Sequence, residues 1–250
     1  MSAVSAGPLR LSAAWGVHLF TASGAAAGML GILAIERRDA AAAFGWMAYA
    51  LAVDAVDGTF ARAVGVKQVL PTFDGTRLDD IVDYVTYVIL PAFFLLHFAL
   101  LPAALAVPVV LCPVLASAYG FCRTDAKTPD HFFTGFPSYW NVVAFYLYLL
   151  DWPPALNAAV VVAFSLVVFV PVRYVYPSRT PTWRAATVGL GIVWAVTVLY
   201  LLFCLARQAS APRNLVLVSL AYPIYYCALS LALTVRRNTP AVAPSAAHPR

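Results

Sequence analysis

Apolar residues dominate this chain in long runs, and charged or Pro/Gly positions fall almost entirely between them. Runs near 12–35, 40–62, 79–100, 102–122, 137–151, 154–174, 183–206 and 214–235 each predict an apolar helix. A bilayer crossing needs about 20 such residues. The pattern therefore predicts an all-α, polytopic integral membrane helical bundle of about eight transmembrane helices. The turn Asp151-Trp152-Pro153-Pro154 separates the fifth and sixth runs, since consecutive prolines cannot donate backbone hydrogen bonds inside a helix. The first run, Leu11 to Ile35, is too long for the core of a signal peptide and is expected to be a transmembrane helix. One membrane domain spans residues 1–237, and the Pro-, Ala- and Ser-rich stretch 238–250 is expected to be a disordered tail.

Composition closes off other classes. With 62% hydrophobic and 11% charged residues in 250, a water-soluble globule is excluded, as is room for a second soluble domain. The net charge of +5 comes from basic residues scattered singly or in pairs, which speaks against a nucleic-acid partner. They orient helices instead. With both termini inside, Arg10, Arg62, Lys67, Arg77, Arg123, Lys127, Arg173, Arg179, Arg184, Arg236, Arg237 and Arg250 fall on the cytoplasmic side, leaving Arg37, Arg38, Arg207 and Arg213 outside. Cys112, Cys122, Cys204 and Cys227 have no metal or disulfide spacing and read as small apolar residues.

The acidic residues break this picture. Asp54, Asp57, Asp74, Asp79, Asp80 and Asp83 fall within one stretch at the end of the second run and the start of the third. A carboxylate in a span costs on the order of 3 kcal/mol, so such groups face a polar interior. Asp54, Asp57, Gly58 and Ala61 share one helix face, as do Asp79 and Asp83 on the next helix. Two helices could point four carboxylates at one another, a charge matching two divalent cations, and all-oxygen ligands suit Mg2+ or Mn2+. Gly58 and Ala61 leave a groove beside them. Asp74 and Asp80 read as loop or surface groups. A cation or proton pathway through a transporter is the competing class, but it would spread polar residues through the membrane depth, which the later runs lack.

The arrangement Asp54-x-x-Asp57-Gly58-x-x-Ala61-Arg62 followed by Gly75-x-x-x-Asp79-x-x-x-Asp83 resembles the signature of the CDP-alcohol phosphatidyltransferase family. Residues 63–74 make a spacer of twelve, longer than most of the family has. That departure is similar to the bacterial phosphatidylcholine synthase branch, which condenses choline with CDP-diacylglycerol. The likeness continues through His18-Leu19-Phe20-Thr21-Ala22-Ser23-Gly24, Val69-Leu70-Pro71 and the segment from Lys127 to Pro137, which includes Asp130 and His131.

The resemblance implies a bacterial inner-membrane enzyme with its site at the cytoplasmic face. Asp54, Asp57, Asp79 and Asp83 would hold two Mn2+ or Mg2+ ions, and Asp83 would also take the proton from the choline hydroxyl. Gly58, Ala61, Arg62 and Gly75 would admit the CDP group of CDP-diacylglycerol, whose chains stay among the membrane lipids. Lys127, Arg173 and Arg179 are further phosphate candidates or interfacial anchors. A quaternary ammonium asks for aromatic faces, and Tyr84, Tyr119, Phe121, Tyr139 and Trp140 are the candidates, with Tyr84, Tyr119 and Trp140 put first. Serine, glycerol phosphate or inositol are the alternative acceptors, and family members are commonly homodimers.

Overall fold

The computed structural model describes residues 7–126, 128, 132–176, 180 and 182–238, the last two without side chains. The expectations for Lys127, Asp130, His131, Arg179, Arg237, Arg250 and the tail beyond 238 lie outside what is described.

Among the described residues, eight apolar rods follow one another. The first is α1 (Pro8–Glu36) and the second α2 (Ala40–Val64). After a single turn, α3 (Val66–Val69), the third rod runs from Gly75 to His97 as α4 (Gly75–Asp83), a π turn (Tyr84–Ile89) and α5 (Leu90–His97). Then come α6 (Ala106–Cys122), α7 (Trp140–Leu150), α8 (Pro154–Val167), α9 (Arg184–Ala206) and a broken rod of α10 (Arg213–Ser219) and α11 (Ala221–Asn238). Five rods are long and apolar enough to cross a membrane: α1, α2, Gly75–His97, α9 and Arg213–Arg236. The other three have 17, 11 and 14 residues. At 1.5 Å per residue these reach only about 17–26 Å, short of a hydrocarbon layer of about 30 Å. The chain is a polytopic helical membrane protein in which three of the eight rods are abbreviated.

Local chemistry explains the boundaries. Asp39 caps α2, its Oδ1 accepting from the Ala42 amide at 2.9 Å. Asp74 caps α4, its Oδ1 accepting from the Thr76 and Arg77 amides at 3.1 Å each. This cap starts the third rod four residues before the expected Asp79. The sixth run was expected to continue to residue 174, but helix stops at Val167 and Pro171, which has no amide hydrogen, follows. Beyond it, among the described residues, the one departure from an all-α fold appears: Arg173–Val175 (β2) pairs antiparallel with Phe132–Thr134 (β1), Phe133 opposite Tyr174. The free edge of β2 is covered by hydroxyls at a four-residue spacing on α11. Thr234 Oγ1 accepts from the Arg173 amide (2.8 Å), Ser230 Oγ from the Val175 amide (3.1 Å), and the Tyr226 hydroxyl donates to the Val175 carbonyl (3.0 Å).

Close approach of α1 to the third rod positions the site. Gly24, Gly28 and Gly31 form a stripe on α1. A Cβ on them would stand 2.6 Å from Val82 Cγ1, 2.9 Å from Val85 Cγ1 and 2.7 Å from Leu90 Cδ2. Only glycine lets backbones approach this closely. The rising numbers on both partners show that α1 and the third rod run parallel, while α2 runs antiparallel to α1. Glu36 and His97, 3.2 Å apart, mark the far end. The twelve-residue spacer also has a structural use. Gly65 ends α2 with a left-handed φ of 71°, and α3 then places Val66 and Leu70 against Ala14 and Val17 of α1 in a small core of their own.

Candidate active site

Three carboxylates converge between α2 and α4. One oxygen from each of Asp54, Asp57 and Asp79 lies within 4.8 Å of the other two. Oxygen ligands at 2.0–2.6 Å from a hard divalent cation can stand up to about 4–5 Å apart, so this all-carboxylate set fits such an ion. Asp57 is 7% exposed, while Asp54 and Asp79 are partly open.

Two hydroxyls from outside the aspartate motif fix the cluster. Thr21 Oγ1 of α1 donates to Asp57 Oδ2 at 2.8 Å, with both residues buried. The Tyr87 hydroxyl donates to Asp54 Oδ2, also at 2.8 Å. Partners of this kind orient metal ligands and raise affinity.

Asp83 lies one turn beyond Asp79, at the end of α4, where the π turn begins. In an α-helix, steps of four residues overshoot the 3.6-residue turn and drift around the axis. The wider π turn removes that drift and returns Tyr87 to the carboxylate side, within the field of both Asp54 and Asp83. Pro91, whose ring would clash with the Tyr87 carbonyl in a regular helix, supplies a local cause.

The groove-forming residues stand beside this cluster. Gly58 and Ala61 are half-buried on α2. Arg62 is exposed and folds back along the helix, Nη2 donating to Thr59 Oγ1 at 2.9 Å, with Nη1 3.3 Å from where a Gly58 Cβ would stand. Gly75 opens α4 beneath the ring of His18, whose Cε1 would lie 2.6 Å from a Cβ there. His18 is 6% exposed, packs on Phe73 of the spacer at 4.3 Å, and its Nε2 has no hydrogen-bond partner among the described residues. Asp74 is spent as a cap, with Arg77 at 4.0 Å, and Asp80 is partly buried.

The aromatic residues singled out by position are not brought together. The Tyr84 hydroxyl donates to the Val114 carbonyl at 2.9 Å, and its ring meets Phe121. Tyr119 is 49% exposed, against Phe169 and under the Arg123 guanidinium. Trp140 is 1% exposed, its indole N–H donating to Ser117 Oγ at 2.8 Å. Proximity to the aspartates in sequence does not turn these rings toward them. Nearby, the Arg123 guanidinium grips Asp125 at 2.8 and 2.7 Å and holds its carboxyl below the ordinary carboxylate range. Burial, aided by Cys227, pushes the Tyr174 phenol up to about 12.

The CDP-alcohol phosphatidyltransferase family matches residues 18–172. The chain belongs to that family. Its match begins at His18, includes every aspartate of the cluster and both hydroxyls that hold it, and ends before β2. A protein of Legionella pneumophila named phosphatidylcholine synthase is 44% identical over 226 residues, 89% of each chain. Another of that name from Pseudomonas aeruginosa is 38% identical over 193 residues, 76% of this chain and 80% of its own. A third, from Borreliella burgdorferi, is 32% identical over 225 residues, 90% of this chain and 94% of its own.

Proposed function

We propose that this chain is a phosphatidylcholine synthase: it transfers the phosphatidyl group of CDP-diacylglycerol to choline and releases CMP. The observation that carries the reading is the carboxylate cluster of Asp54, Asp57 and Asp79, built on the family signature in a chain similar over most of its length to phosphatidylcholine synthases.

Asp54, Asp57 and Asp79, with Asp83, would hold Mn2+ or Mg2+, two ions in all. Bound there, such ions would supply positive charge to offset that on the pyrophosphate as CMP departs. The chain's own groups do the rest. Asp83 takes the proton from the choline hydroxyl as the oxygen attacks the phosphorus that carries the diacylglycerol. The P–O bond to CMP breaks on the opposite side, and CMP leaves with that electron pair. Thr21 and Tyr87 are positioning residues that keep Asp57 and Asp54 aimed inward. Gly58, Ala61 and Gly75 admit the nucleotide, and Arg62, exposed on α2, meets its phosphate.

The carboxylates sit between the C-terminal half of α2 and the start of α4. The loops and helix ends at that side also carry Arg62, Lys67, Arg77, Arg123, Arg173 and Arg236. This concentration of positive charge supports a site at the cytoplasmic face of the bacterial inner membrane, with both termini on that side. The broad apolar face of α9, where Ile192, Val193, Val196 and Phe203 are exposed, supports contact with lipid.

The test uses purified protein with CDP-diacylglycerol, Mn2+ or Mg2+, and labelled choline, serine, glycerol 3-phosphate or inositol, following lipid product and CMP. Choline-dependent phosphatidylcholine is expected. No product with any alcohol overturns the enzyme, and product with serine but not choline overturns the acceptor.

A further inference from the structure

The acceptor has two ends with different demands. Its hydroxyl has to reach Asp83. On the reading above, its other end is a quaternary ammonium, which donates no hydrogen bond and is held by aromatic faces backed by negative charge. Tyr84, Tyr119 and Trp140 offer no shared surface for it.

Another set of rings does. Tyr87 stands one π turn past Asp83, its hydroxyl fixed on Asp54. The ring of Tyr139, at the N-terminus of α7, is centred 6.1 Å from that of Tyr87 and tilted 47° to it. Tyr226 of α11 follows, 6.2 Å from Tyr139 at 60°. Successive planes turn instead of stacking, so the three rings form a bent wall running from the carboxylates toward the β ribbon. The wall is rigid at both ends, because Tyr87 is held by Asp54 and Tyr226 by the Val175 carbonyl. With those hydroxyls engaged, the surface these two rings can offer a ligand is the aromatic face. Tyr87 and Tyr226 are 4% and 7% exposed, and Tyr139, half-buried between them, is the most open of the three.

We propose that Tyr87, Tyr139 and Tyr226 form the recognition surface for the quaternary ammonium of the acceptor. This rests on choline being the acceptor. Tyr226 belongs to α11, beyond residue 172 where the family match ends. The reacting groups thus come from the part common to the family, while part of the acceptor surface comes from the helices that follow it.

The experiment compares wild type, Tyr139→Leu and Tyr139→Phe, in detergent with CDP-diacylglycerol and Mn2+, using choline and its uncharged isostere 3,3-dimethylbutan-1-ol. A desolvated cation–π contact predicts a choline KM raised about 10-fold in Tyr139→Leu. The KM for CDP-diacylglycerol should stay within about twofold, and the preference for choline over the isostere should fall in proportion. Tyr139→Phe, which keeps the ring, should stay near wild type. If Tyr139→Leu does not purify, Tyr139→Met carries the same comparison. Equal losses on choline and isostere, equal behaviour of the Leu and Phe variants, or an unchanged choline KM each overturn the surface. A wild-type protein that makes no lipid from choline overturns the parent reading, and this proposal with it.

Discussion

Replacing Thr21 by valine removes one hydroxyl and tests whether the cluster depends on α1. The donor it removes stands 2.8 Å from Asp57 Oδ2, with Thr21 6% and Asp57 7% exposed, so water cannot readily take its place. Hydrogen bonds to charged groups contribute about 1.5–3 kcal/mol. At about 1.4 kcal/mol per factor of ten, that corresponds to roughly 10–150-fold in an equilibrium constant. Loss of groups that orient metal ligands typically costs 10–100-fold in metal affinity or activity, so the two routes to the number agree. The assay is the Mn2+ concentration giving half-maximal phosphatidylcholine formation, which should rise 10–100-fold in Thr21→Val while Thr21→Ser, which keeps a donor, stays close to wild type. Thermal unfolding without metal separates the alternatives. A Thr21 that only packed α1 against its neighbours would lower the melting temperature and leave the metal dependence alone. A Thr21→Val titration that superimposes on wild type within about twofold refutes the positioning role.

Four further substitutions probe other parts. Asp83→Asn keeps shape but removes the base, so turnover should fall by about 10²–10⁴ while insertion and purification persist; Asp80→Asn is expected to matter far less, and equal losses would show that the wrong face of α4 had been chosen. Ser230→Ala removes the acceptor for the buried Val175 amide; a cost of about 1–3 kcal/mol should lower the melting temperature followed by tryptophan fluorescence, and no change would mean that the edge of β2 does not depend on α11. Gly24→Leu forces a side chain into the space held by Val82, 2.6 Å from even a Cβ; overpacking of about 1–3 kcal/mol should reduce thermal stability, and a variant as stable as wild type would show that α1 and α4 can separate without loss.

The carboxylates were legible because their constraints are local. Asp54 and Asp57 share a face by being three residues apart, Asp79 and Asp83 by being four apart, and a carboxylate in an apolar run already demands a polar partner. The eight runs were legible for the same reason, since hydropathy acts over one helix at a time. Helix ends were less so. The cap by Asp74 and the stop before Pro171 have sequence signals, but the apolar pattern crosses the second and begins after the first. The β ribbon had no comparable signal: its three-residue strands are too short for an alternating pattern, and α11 satisfies their outer edge from more than 50 residues away.

The donor roles of Thr21 and Tyr87 were not legible for a deeper reason. Each reaches its aspartate across more than 30 residues of chain, and nothing in a threonine or tyrosine beside apolar neighbours marks it as the donor to a particular carboxylate. What brings them there is backbone geometry: the glycine stripe lets α1 settle against α4, and the π turn before Pro91 brings Tyr87 round. The same turn limits what nearness in sequence can say about the acceptor. Tyr84 adjoins Asp83 in the chain yet faces α6, whereas Tyr87, three residues further on, faces the carboxylates, and Tyr139 and Tyr226 join it from other helices. A chain could therefore keep the aspartate signature intact and change its acceptor by altering rings that no spacing rule connects to that signature. Acceptor choice should then follow the residues at 139 and 226 more closely than anything between Asp54 and Asp83.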